Sequence, residues 1–152
     1  MNKSEFFKKK VKEFALLNDI KEDIVIRQDN RLGSYLACTE LYLYTDTKDP
    51  VYMIKYNKKH FKNKSKIDLI ALALHELGHI KFKHEYHHSI KTTTIKQLTQ
   101  MEYEAEKFAL LTIKKYYPKQ LKNIIKNLKG YKNQSIIIYR VAFTKLAEEF
   151  DT

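Results

Sequence analysis

The chain has 152 residues and is 43% hydrophobic, with eleven Tyr and eight Phe but only three Gly and two Pro, a composition for one folded domain with a single core rather than a disordered tail. No run of about eighteen apolar residues offers a membrane span, and Cys38, the sole cysteine, excludes a disulfide framework and a cysteine zinc site. The net charge of +11 is almost all lysine, and only Arg27, Arg31 and Arg140 are arginine, the residue that reads base edges best, so a solvated basic surface is favoured over a specific nucleic-acid site.

The opening "MNKSEFFKKKVKEF" is charged throughout and has no apolar signal-peptide core, which predicts a soluble, cytoplasmic protein. Residues 4–18 read as an amphipathic helix capped by Ser4, with Phe7, Val11, Phe14 and Leu17 on one face. Strands are predicted around Ile24 to Arg27, at 34–44 and at 51–57, with a turn at "TDTKDP" between the last two. Together they predict a small, mainly antiparallel sheet.

The rest reads as helix. Ser65 caps a segment running to about Lys83; further helices are predicted at 94–116, from Pro118 to about Lys129 before Gly130, and at 135–150, where Ile137, Val141 and Leu146 are among the apolar residues. With no repeat or low-complexity linker, residues 1–152 are expected to form a single α+β domain.

One stretch carries the chemistry. In "LIALALHELGHIKFKH", 69–84, His75 and His79 stand four apart, so a helix presents both from one face where they can grip one ion. Glu76 follows the first histidine, where a carboxylate reaches a metal's water: the HExxH arrangement of metal-assisted hydrolysis. Leu69, Leu72 and Ala73 supply an apolar face, and Gly78 allows a neighbouring backbone to come close.

A catalytic zinc needs a third protein ligand and an open position. Glu85 stands where an extended HExxHxxGxxH motif would place it, but Phe82 replaces the turning glycine, which makes Glu85 a poor candidate. His84, His87 and His88 read as surface residues or as supports for the site. The better candidate is in "QMEYEAEKFALL", 100–111. There Glu102 and Glu106 lie four apart beside Leu98, Ala105 and Ala109, a costly pair of like charges that a cation would resolve. Glu102 is then the ligand, Glu106 the acceptor for a ligand histidine's other ring N–H, and Glu104 projects elsewhere into solvent.

"HELGHIKFKH" followed by "EYEAEKFALL" resembles the ImmA/IrrE family of small zinc metallopeptidases, known by HELGH and then ExxA(N/D)xFA. The resemblance spans about 51–112 and implies a minimal zincin-like domain of gluzincin type. It makes His75, His79 and Glu102 the Zn2+ ligands and Glu76 the catalytic base. Glu106 stands where the family has Asn or Asp, and Phe108 and Ala109 match the packing residues after it. In zincins the strand ahead of the metal helix is a sheet edge that pairs with extended substrate, a role that falls on Val51–Tyr56, with Val51, Met53 and Lys55 as substrate-binding residues. The implied activity is zinc-dependent endopeptidase cleavage of a partner DNA-binding transcriptional repressor, as in phages and mobile elements. The alternative is a metal-containing regulatory protein that binds a regulator or nucleic acid without proteolysis. For the donor to the tetrahedral oxyanion, Tyr103 and Tyr139 are candidates among the eleven tyrosines.

Overall fold

In the computed structural model, residues 1–33, 35–43, 50–84 and 94–151 are described. Most of the expected turn at 45–50 lies outside these residues, as do Glu85, His87 and His88. The order is α1 (Lys3–Leu17), β1 (Asp23–Gln28), β2 (Ala37–Leu43), β3 (Pro50–Tyr56), α2 (Lys66–Lys81), α3 (Ile95–Tyr116), α4 (Leu121–Lys129) and α5 (Ile137–Phe150), linked in part by short 3-10 turns. This is the expected α+β arrangement: one helix, a small sheet, the histidine helix, and a helical remainder. None of the described helices is long and apolar enough to cross a membrane.

Local chemistry sets the helix starts. Asn2, not Ser4, caps α1: its side chain accepts the Glu5 N–H at 2.8 Å and the Glu5 carboxylate accepts the Asn2 N–H at 3.1 Å. Phe7, Val11 and Phe14 are buried as their spacing predicts, whereas Leu17 is exposed at the frayed end. Ser65 caps α2 in the same reciprocal way with Asp68, and Thr94 caps α3 with Gln97. On α5, Leu146 is buried while Ile137 and Val141 face outward.

The sheet order is β1-β3-β2. β2 and β3 pair antiparallel, with Thr39 opposite Ile54, as consecutive strands joined by a short link do. β1 covers the other side of β3 in parallel, with Ile26 opposite Ile54, so the sheet is mixed. The last strand in sequence is therefore the middle one in space.

That topology corrects the role given to Val51–Tyr56. β3 has partners on both sides, so it has no free backbone edge to offer a substrate. Its alternation also sends Tyr52, Ile54 and Tyr56 into the core and leaves Val51, Met53 and Lys55 half-buried on the opposite face. Lys55 is engaged there with Glu40 of β2, Nζ to Oε2 at 2.9 Å, and lies 3.9 Å from Asp29 Oδ2. The outer strand nearest the histidine helix is β2.

Between the sheet and the helices lies the core. Phe7, Tyr56 and Phe61 form a three-ring cluster with centroids 5.3 to 5.5 Å apart. Leu74, Leu77 and Ile80 of α2 are fully buried, each burial contributing about 1.5–3 kcal/mol. This packing fixes α2 against α1, β2 and α3 at once.

Candidate metal centre

Helical spacing puts His75 above His79 on α2 and Glu102 above Glu106 on α3. Gly78 brings the two helices together: a Cβ there would lie 2.8 Å from both Cα and the carbonyl oxygen of Ala105. With backbone against backbone, a glutamate on α3 is long enough to reach the imidazoles of α2.

Three side chains converge. His75 Nε2 is 2.8 Å from Glu102 Oε2, His79 Nε2 is 3.6 Å from Glu102 Oε1, and the two Nε2 atoms are 3.1 Å apart. One candidate ligand atom from each of the three residues lies within 4.8 Å of the others, close enough for one ion to reach all three. Among the described residues, His75, His79 and Glu102 form a group that could hold a metal ion.

Each of the two histidines is held from behind. With Nε2 turned to the metal position, His75 carries its hydrogen on Nδ1 and donates it to Glu106 Oε2 at 2.6 Å. Glu106, longer than the Asn or Asp of the resembled motif, closes this bond. His79 Nδ1 lies 2.9 Å from His84 Nδ1, and His84 Nε2 lies 3.6 Å from Glu104 Oε2. Of the two places expected for His84, at the surface or in support of the site, the first is excluded: its ring is buried against His79. The expectation for Glu104 changes too, since it faces His84 rather than standing free in solvent.

Glu76 is buried, and its Oε2 accepts a hydrogen bond from the Thr39 hydroxyl at 2.5 Å. Thr39 is on β2, so the sheet aims the carboxylate that follows the first ligand. Tyr139 on α5 stacks with Phe143, centroids 5.6 Å apart, and Phe143 meets the His75 ring edge-on at 6.0 Å. Tyr103 is turned elsewhere: its hydroxyl donates to Glu149, 2.7 Å from Oε2.

Electrostatics follow the contacts. Burial alone would lower the pKa of His75, but the Glu102 and Glu106 carboxylates hold it well above the usual histidine value. Burial would raise that of Glu102, but His75 and His79 hold it well below the carboxylate range. Burial, then the charge of Glu102, raises the pKa of the Tyr139 phenol and keeps it protonated. Burial and then His79 lower that of His84 and favour its neutral ring.

Sequence reasoning located His75, His79, Glu102 and Glu106, which the fold brings into contact, and Glu76, whose carboxylate Thr39 holds; it named His84 as a surface residue or a support for the site. Thr39 and the contact of Glu104 with His84 escaped it. Comparisons of the chain with protein-family models, with curated proteins and with solved structures give no match in any of the three.

Proposed function

We propose that the protein is a zinc-dependent endopeptidase that cleaves a DNA-binding transcriptional repressor, in the manner of phage and mobile-element anti-repressors. What supports the hydrolase reading is the convergence of two imidazole Nε2 atoms and one carboxylate, with the Glu76 carboxylate, which follows the first histidine, buried and held by Thr39. The choice of partner rests on the likeness of "HELGH" and "EYEAEKFA" to the ImmA/IrrE motifs.

Two histidines and a glutamate are a catalytic zinc set, three protein ligands with a fourth position open. When bound, zinc supplies Lewis acidity, bringing the pKa of a water to about 7 and polarising the scissile carbonyl. Glu76 Oε1 takes the proton of the attacking water while Oε2 stays bonded to Thr39, and the same carboxylate delivers that proton to the leaving amine. The Tyr139 hydroxyl donates to the developing oxyanion. An extended substrate segment adds to the outer edge of β2, which puts its backbone beside the strand that holds Glu76.

Glu76→Gln separates this reading from action by binding alone. The variant should retain stoichiometric zinc and lose cleavage of a co-expressed repressor. Undiminished biological activity in it would sink the peptidase reading.

A further inference from the structure

α2 ends in a turn that its sequence does not advertise. Phe82 is the C-cap, and Lys83 takes the left-handed conformation at φ 54°. The Lys83 N–H bonds to the Ile80 carbonyl at 3.0 Å and the His84 N–H to the His79 carbonyl at 2.9 Å. Those two bonds define a Schellman motif, in which the second residue past the cap folds back over the third residue before it. Glycine usually takes the left-handed position; a lysine there carries a backbone cost of about 1 kcal/mol.

In a Schellman motif the two residues that meet commonly make an apolar contact. Here they are His84 and His79, and they meet through their ring nitrogens, Nδ1 to Nδ1 at 2.9 Å. One nitrogen must donate and the other accept. Phe82 lies over the His84 ring at 23° with centroids 6.0 Å apart, and Glu104 Oε2 stands 3.6 Å from its far nitrogen. Both sides of the His84 ring are thus fixed by neighbours other than His79.

We propose that His84 is a positioning residue for the metal centre: the Lys83 turn folds its Nδ1 under His79 as an acceptor, which locks the His79 hydrogen on Nδ1 and aims Nε2 at Glu102. The inference rests on the metal-site reading above. It makes the two ligand histidines unequal. On the Nδ1 side, His75 leans directly on the Glu106 carboxylate, whereas His79 faces a second imidazole whose far nitrogen lies 3.6 Å from Glu104. The centre is thereby tied to the end of α2 as well as to α3.

The test is zinc affinity by competition with a chromophoric chelator, together with the visible spectrum of the cobalt-loaded protein. His84→Ala should weaken zinc binding about 10- to 100-fold, the usual effect of losing a ligand's partner, and alter the cobalt bands. His84→Asn, whose Oδ1 can take the acceptor's place, should stay within about threefold of the parent. Lys83→Gly, which suits the left-handed turn, should bind as the parent does and melt no lower. A His84→Ala protein that folds and binds zinc like the parent overturns the proposal. So does an Asn variant that is folded yet as weak as Ala. A parent protein that takes up no zinc or cobalt overturns the metal-site reading itself, a result distinct from either.

Discussion

Gly78 and Ala105 touch through their backbones, at a point where an added methyl would come within 2.8 Å of Ala105 Cα. The clash is with main chain rather than a flexible side-chain tip, so Gly78→Ala must push α3 away from α2. The expected cost is about 1–3 kcal/mol, read as a lower Tm of the metal-free protein. Glu102 lies one turn before Ala105, so zinc affinity should fall by at least about tenfold in the same variant.

The Thr39 hydroxyl donates to Glu76 Oε2, and it comes from another element of the fold. Thr39→Val keeps the shape and removes the donor. A hydrogen bond to a charged group is worth about 1.5–3 kcal/mol, so kcat should drop about 10- to 100-fold. Zinc stoichiometry should not change, and Thr39→Ser should recover most of the rate. Loss of zinc along with the rate would mean that Thr39 supports the fold rather than the carboxylate.

Tyr139→Phe and Tyr103→Phe should behave oppositely. Loss of an oxyanion donor costs about 10²–10³ in kcat, with metal content and KM little altered. Tyr103, bonded to Glu149 on the far side of α3, should tolerate the change. Equal rates for both variants would remove Tyr139 from the mechanism.

The metal-free protein should show a stability plateau bounded on both sides by the site. His75 has a raised pKa, so its contribution is complete below the unfolded value near 6.5 and is lost as pH rises through the folded one. Glu102 has a depressed pKa, so its contribution is present above about 4.5 and is lost as pH falls through the folded value. In Tm measured against pH with a chelator present, His75→Gln should flatten the alkaline limb. An unchanged limb would show that the ion contacts do not govern it.

Cys38 reports on the same neighbourhood. Burial, then the nearby Glu76 and Glu40 carboxylates, push its thiol up to about 12. At pH 8 roughly 1 in 10⁴ molecules carries the thiolate, against about a quarter for an ordinary cysteine. Iodoacetamide should therefore modify the native protein about a thousandfold more slowly than the urea-unfolded chain. Comparable rates in the two states would contradict the raised pKa of this half-buried thiol.

What the sequence discloses about the site is local. His75 and His79 are legible because i,i+4 spacing fixes a shared face whatever surrounds the helix. Glu102 and Glu106 are legible because two like charges beside Ala105 and Ala109 make little sense without a cation. Thr39 is not, because its contact with a residue 37 positions away depends on sheet register and on how α2 lies across the strands. The wrong face of β3 has a plain cause: Tyr52, Ile54 and Tyr56 alternate with Val51, Met53 and Lys55, and both sets contain apolar residues, so the pattern does not say which is inside. Strand order is likewise a tertiary fact, invisible to periodicity. The choice between the two places for His84 stayed open because Lys83 hides the turn, since the usual sign of a helix folding back on itself is a glycine.

Because Glu102 reaches the histidines only across the Gly78–Ala105 contact, the order of synthesis matters. A ribosome-bound chain exposes both imidazoles some twenty-odd residues before the third ligand is made. It exposes Tyr139 later still. During that interval the group of His75, His79 and Glu102 lacks its third member. In the proposed hydrolase, competence would therefore arrive only with the last helix, and the nascent chain would pass through translation without a complete site.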